Sequence, residues 1–365
     1  MSKENFIRSF AEEQYAKELK ALVKEDDAPK PENWELSPAM VCLYITGGQT
    51  AKGTVIEPKY FGEKRLVELA VATLLTDRAL LLIGVPGTAK TWLSEHLAAA
   101  ISGDSSRIVQ GTSGTGEDAI RYGWNYAKLL QEGPSIEALI ASPVMRAMQT
   151  GRLVRLEELT RIPSDIQDAL ITILSEKNMP VPELDLYIRA KSGFNVIATA
   201  NDRDKGVHEL SSALQRRFNV VRLPLPATLE EELKIVTFRI KQIADENKIP
   251  AQEIGVEDIR KLITVFRELR SGKSEDGELK IKSPTATLST AEAISAVNNS
   301  MILSAYFDYK KNSLQPIAES IISAGIKDPN HDVPVLEEYL DTVIKKRKGW
   351  KQLYEMCKGI LHGGN

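Results

Sequence analysis

Between about residues 59 and 226, short apolar runs alternate with stretches whose apolar positions recur at helical spacing. The clearest run, Ala79-Leu80-Leu81-Leu82-Ile83, has no polar interruption. A strand that is apolar throughout, rather than at every second position, is buried on both faces, as in a parallel sheet covered by helices. Arg107–Gln110, Arg152–Leu156, Asn195–Ala198 and Val220–Leu223 are the other predicted strands. At the N-terminus, Phe6, Phe10, Tyr15, Leu19 and Leu22 predict an amphipathic helix over 4–24, because such spacing lines one helical face. Glu25-Asp26-Asp27-Ala28-Pro29-Lys30-Pro31 then reads as a linker. Past Leu229 the strand signal stops, and helices are predicted over 229–246, 255–270, 287–305, 312–324 and 333–347. The change falls at Pro224-Leu225-Pro226. The expected organisation is therefore a helical extension and linker over 1–54, an α/β core over 55–226 and an α-helical region over 227–365.

Composition narrows the class of protein. The 365 residues suffice for two or three domains, and 42% hydrophobic with 27% charged content is that of a globular chain. A net charge of −3 supplies no field for nucleic acid or an anionic membrane. Cys42 and Cys357 lie far apart without metal-like spacing and read as reduced thiols. The polar start Met1-Ser2-Lys3-Glu4-Asn5 is unlike a signal peptide, and the Leu66–Leu75 run is broken by Glu68. A cytoplasmic location is expected.

Chemistry concentrates in four places. Gly84-Val85-Pro86-Gly87-Thr88-Ala89-Lys90-Thr91 lies between the apolar strand and the helical pattern beginning Trp92-Leu93-Ser94. Strand, glycine-bearing loop, Lys-Thr and helix is the layout that cradles nucleotide phosphates. Backbone N–H groups and the helix N-terminus face the anion, the lysine reaches the terminal phosphates, and the hydroxyl serves Mg²⁺. The strict pattern has Gly where this chain has Ala89. The strand Arg152–Leu156 is followed by Glu157-Glu158, which a parallel sheet places beside the phosphate loop. One carboxylate can support a metal shell while the next polarises water, although a Glu pair by itself equally suits a solvated loop. Asn201 ends a third strand, where an amide can donate and accept toward water; Asn201-Asp202-Arg203-Asp204 is also a good turn. Leu210–Phe218 reads as a helix ending in Arg216-Arg217. Those guanidiniums suit either a neighbouring subunit's nucleotide or simply a helix C-terminus.

In combination and in this order, the phosphate loop, the acidic strand end, Ala198-Thr199-Ala200-Asn201 and Leu214-Gln215-Arg216-Arg217-Phe218 resemble an AAA+ ATPase module, specifically of the MoxR family. The likeness covers roughly residues 55–300, and Ala before the lysine is common in that family. The resemblance implies a P-loop AAA+ parallel-sheet core with helices on both faces, followed by an α-helical lid. It implies ATP and Mg²⁺ as ligands, with Lys90 and Thr91 on phosphate and metal, Glu157 on the metal side and Glu158 activating water. Asn201 would be the polar sensor, Arg217 the arginine finger with Arg216 as alternate, and Tyr60-Phe61-Gly62 the segment over adenine. Gly111–Gln149 has the length of the family's helix-2 insertion, and Met179–Ala190 that of the hairpin before the sensor strand. Two positions depart from the pattern. Glu157 stands where Asp is usual, and Thr285 in Lys282-Ser283-Pro284-Thr285-Ala286-Thr287 stands where Arg is usual, leaving Lys282 as a substitute cation. The function expected from the resemblance is ATP hydrolysis in a homo-oligomeric, hexameric ring that remodels a client protein. The partner class it implies carries a von Willebrand factor A domain. A nucleotide-gated assembly subunit with weak turnover, and a GTP-using relative, are the competing readings.

Overall fold

The computed structural model describes residues 8–202, 210–249, 255–307 and 314–363. It divides into two compact units, Met1–Val85 with Ala89–Leu223, and Pro86–Thr88 with Pro224–Asn365.

The first unit is built on five strands: β1 (Ala79–Gly84), β2 (Ile108–Gln110), β3 (Leu153–Glu157), β4 (Asn195–Asn201) and β5 (Phe218–Arg222). All are parallel, in the order β5-β1-β4-β3-β2. Each expected strand is found, with its ends shifted by up to three residues, the largest change being the extension of Asn195–Ala198 to Asn201. The period-2 alternation of side chains feeds two apolar layers. Leu80, Leu82, Leu153 and Ile197 enter one layer, and Ala79, Leu81, Val154, Leu156, Val196 and Ala198 the other. The register pairs Asn201 with Gly84 and Gln110 with Glu157. The carboxyl ends of β1, β3 and β4 therefore lie along one edge, where parallel α/β sheets bind ligands.

Two excursions leave the sheet. Between β2 and β3, an antiparallel ribbon pairs Tyr122–Trp124 with Leu139–Ala141 and carries the helix Tyr126–Glu132. Ahead of β4, Asn178–Val181 pairs with Leu186–Arg189 in a hairpin. The two are tied together, because the Tyr122 hydroxyl donates to Glu183 Oε2 at 2.8 Å and Arg121 Nη2 to the Pro180 carbonyl at 2.8 Å. Tyr126, Leu130, Ile136 and Tyr187 on these excursions are exposed.

The described part of the N-terminal segment forms two helices, Ala11–Gln14 and Ala16–Glu25, with a break at Tyr15; residues 4–7 lie outside the described residues. Buried Lys59 explains their docking. Its ammonium donates to Glu18 Oε2 at 2.8 Å and lies 4.1 Å and 4.7 Å from the ring centroids of Tyr15 and Tyr44. The Tyr44 hydroxyl meets His96 Nδ1 at 2.9 Å, on the helix Lys90–Ser102 that follows the phosphate loop.

The second unit comprises the helices Leu229–Asn247, Val256–Ser271, Thr290–Tyr306, Gln315–Gly325, Pro329–Thr342 and Lys351–Gly363. Their core includes Val236, Leu262, Phe266, Val297, Leu336 and Tyr339. Buried Glu232 links three of these helices through Arg267 (2.8 Å), Arg270 (2.9 Å) and the Thr290 hydroxyl (2.7 Å). The last helix lies beyond the Lys345–Lys348 basic run, whose charge hides it from a periodicity reading. Arg347 in that run pairs with buried Glu268 and lies 4.6 Å from the Trp350 ring centroid.

Candidate nucleotide site

The phosphate loop leaves β1 at Gly84 and ends at Ala89, the N-cap of the helix Lys90–Ser102. Ala89 has φ 63° and ψ 25°. A left-handed conformation costs a non-glycine L-residue roughly 1–2 kcal/mol, which is the physical reason the strict motif has Gly there. Alanine is the smallest residue to carry that cost. Gly87 supplies the loop's other positive φ, 81°. Lys90 is buried, its ammonium donating to the carbonyls of Gly84 at 2.8 Å and Val85 at 3.0 Å.

Glu157, at the end of β3, is buried, and its carboxylate collects donors from three elements. The Thr91 hydroxyl donates to Oε2 at 2.8 Å and the Thr199 hydroxyl to the same oxygen at 2.7 Å. Oε1 accepts from the Ser94 hydroxyl and, at 2.9 Å, from Arg155 Nη2. The paired hydroxyl of Thr91 and carboxylate of Glu157 are hard oxygen donors of the kind Mg²⁺ takes. Among the described residues no cluster of three or more His, Cys, Asp or Glu side chains is built for a metal.

Glu158 is the next residue, at φ 57°. Its backbone N–H donates to Thr199 Oγ1 at 3.0 Å. Asn201 Nδ2 donates to both Glu158 oxygens, at 3.1 and 3.3 Å, and Arg161 Nε lies 3.1 Å from Oε2. β1, β3 and β4 thus bring the phosphate loop, both glutamates and Asn201 to one edge.

The remaining expected residues are placed as follows. The helix before β5 spans only Ser212–Gln215, because β5 begins at Phe218, so Arg216 and Arg217 occupy the intervening turn. Arg216 is exposed, and half-buried Arg217 donates to Ser175 Oγ and the Ala213 carbonyl. Tyr60 is buried in the core, where burial pushes its phenol up to about 12, while Phe61 is half-buried and Gly62 exposed. A Cβ on Gly62 would fall 2.3–2.4 Å from the Tyr60 ring, so a side chain there would displace the tyrosine. In the second unit, the Thr285 N–H and hydroxyl both donate to buried Asp332, each at 2.7 Å. Asp332 also accepts from the N–H groups of Lys327 and Asp328 at 2.8 Å. Burial works to raise the Asp332 carboxyl, but the hydrogen bonds from His331, Thr285 and Asp328 outweigh it and hold the group far below the carboxylate range. The Lys282 ammonium pairs with Glu338 at 2.6 Å.

Arg155, Ser94, Thr199 and Arg161 are site residues that the motif reading missed. Arg155 and Glu157 are two apart on a strand and so share a face by construction. Ser94 is three residues past Thr91 on a helix and so shares its side.

A parallel sheet in this strand order, with a phosphate loop after β1, carboxylates ending β3 and an amide ending the central β4, defines an AAA+ ATPase. The AAA domain family of the dynein-related subfamily matches residues 79–218, and the YehL-like AAA+ ATPase C-terminal domain family matches residues 230–361. YehL of Escherichia coli K12 is 37% identical over 353 residues, spanning 93% of this chain and 94% of YehL. The chain belongs to the YehL-like AAA+ ATPases. YojN of Bacillus subtilis is 28% identical over 183 residues, 49% of this chain and 58% of YojN. Among solved structures, NtrX from Brucella abortus in complex with ADP superposes with a TM-score of 0.49 at 16% identity, covering 82% of this chain and 62% of that one.

Proposed function

We propose that this chain is an ATP hydrolase of MoxR type, acting in a homo-oligomeric ring, hexameric and cytoplasmic, to remodel a partner protein. The observation that carries the reading is the arrangement at the carboxyl edge of the sheet. The Thr91 hydroxyl lies on Glu157 at 2.8 Å, and the Asn201 amide on Glu158 at 3.1 Å. Phosphoryl transfer to water needs positioning and electrostatics more than covalent chemistry. In this reading Glu158 accepts the proton of the attacking water and Asn201 orients both. Lys90 leaves the loop carbonyls for the terminal phosphates, and the backbone N–H groups of residues 84–91 hold the β-phosphate side. Thr91 would hold Mg²⁺, with Glu157 supporting it from behind the Thr91 hydroxyl, and the bound ion would neutralise charge on the phosphate oxygens. Phe61 and Gly62 lie toward adenine, with buried Tyr60 fixing their backbone.

Arg217 and Arg216 are proposed to complete a neighbouring subunit's site. Exposed Arg216 is available as it stands, whereas Arg217 must first release Ser175 and Ala213. Residues 1–54 act as a helical extension, 55–226 as the nucleotide-binding core and 227–365 as the lid. Exposed Tyr126, Leu130, Ile136 and Tyr187 are proposed to meet the client, or an adaptor carrying a von Willebrand factor A domain. The neutral overall charge argues against nucleic acid.

A second reading, a nucleotide-gated assembly subunit with weak turnover, is favoured by two contacts. Arg161 and Asn201 both hold Glu158, and Thr285, at the usual sensor-arginine position, is committed to Asp332. Phosphate release by the purified protein against Lys90→Ala tests the proposal. Release at least about 10-fold above the variant is expected; equal release by both leaves only the second reading. Competition of GTP against ATP in the same assay decides the nucleotide.

A further inference from the structure

We propose that Arg155 is a built-in counter-cation for Glu157, so that nucleotide binding at this loop is nearly independent of divalent cation. The inference rests on the reading that the loop binds ATP.

An ionised carboxylate offers about four lone-pair sites. All four of Glu157's have donors inside the protein: Thr91, Thr199, Ser94 and Arg155. The guanidinium side chain is 5% exposed and the carboxylate side chain 1%, so the pair is sealed from screening solvent. Arg155 is also fixed elsewhere, its Nε donating to Ser94 Oγ at 3.1 Å, Nη1 to the Ser105 carbonyl at 3.1 Å and Nη2 to the Thr91 carbonyl at 3.3 Å. It cannot swing away to leave the carboxylate bare without vacating three further acceptors.

The extra methylene of glutamate has a use in this arrangement. It lets the carboxylate span the hydroxyls of Thr91 and Ser94 along one helix while Arg155 meets it from the same strand face. A negative charge already matched by a fixed positive one adds little pull on a cation, and the guanidinium itself repels one. Glu157 then serves to orient the Thr91 hydroxyl, and a cation is held by the phosphates it arrives with and by Thr91. Arg155 is a positioning residue with an electrostatic consequence.

Two measurements test this. In the first, the Kd for ATP is determined in excess Mg²⁺ and in EDTA, for the full chain, R155M and R155K. For wild type and R155K the two constants are expected to agree within about 3-fold, and for R155M the EDTA value to exceed the Mg²⁺ value by about 10-fold. A ratio in R155M equal to that of wild type, or one in R155K equal to that of R155M, overturns the counter-cation role. The second needs no variant and stands if R155M fails to fold. Mn²⁺ is titrated into wild-type protein with ATP and free Mn²⁺ is read by electron paramagnetic resonance. Affinity close to that of ATP alone is expected, and affinity more than about 10-fold tighter overturns the proposal. Absence of ATP binding in both Mg²⁺ and EDTA refutes the ATP reading instead.

Discussion

Replacing Glu157 by Gln keeps the side chain's shape and removes its charge, leaving the Arg155 guanidinium buried beside a neutral amide. Thr91 and Thr199 donate to one carboxylate oxygen and Ser94, with Arg155, to the other, so the single amide oxygen keeps one of these sets and the loss combines the ion pair with the displaced hydroxyls. Removing one member of a buried pair costs about 3–5 kcal/mol, because the survivor is an uncompensated charge in low dielectric. Against a total stability of about 5–15 kcal/mol, that is a large fraction. It corresponds to a melting transition roughly 6–20 °C lower for a unit of this size. Tryptophan fluorescence during thermal unfolding reads it, since Trp34, Trp92 and Trp124 lie in the first unit. Glu158→Gln is the control. The side chain of its partner Arg161 is 52% exposed, so the change should stay within about 1 kcal/mol. Glu157→Gln combined with Arg155→Met should recover part of the loss, because no uncompensated charge is then left buried. A Glu157→Gln protein within about 1 kcal/mol of wild type would refute the claim that the pair is energetically closed to solvent.

Ala89→Val puts a β-branched residue at φ 63° and should abolish measurable ATP binding by isothermal titration, whereas Ala89→Gly should bind like wild type. The depressed carboxyls of Asp332 and Glu232 set the acid limit of the second unit. A folded-state pKa below the unfolded one gives stability that is full above about pH 4 and lost as the pH falls toward the folded value. Circular dichroism of Asp332→Asn during acid titration should therefore show a weaker pH dependence than wild type. Burial pushes the Cys357 thiol up to about 12 and raises half-buried Cys42. A thiol-reactive dye at pH 8 should accordingly label neither quickly in the native protein, and both once it is denatured.

Much of the first unit is legible in the chain because its signals are local. A five-residue apolar run bounded by Gly84, an acidic pair after another run and an amide after a third each declare a strand end. The register then carries them to one edge. What local signals hide is the use of polar residues inside the core. Arg155 looks like one charge among several in Gly151–Glu158, and only the burial of both faces of β3 turns its spacing from Glu157 into an ion pair. Thr285 reads as a missing sensor arginine. Its contact with Asp332, 47 residues on, shows a hydroxyl and N–H committed to tying a loop to the helix Pro329–Thr342. The final helix, Lys351–Gly363, is obscured by the basic run before it and by Gly349 at φ 82°.

The central claim, that this site hydrolyses ATP with Glu158 as the base, is tested most directly by steady-state phosphate release from wild type and Glu158→Gln at matched, saturating ATP. The account predicts that the variant binds ATP as wild type does and releases phosphate about 10²-fold or more slowly. Equal rates in two proteins that both bind ATP would contradict it.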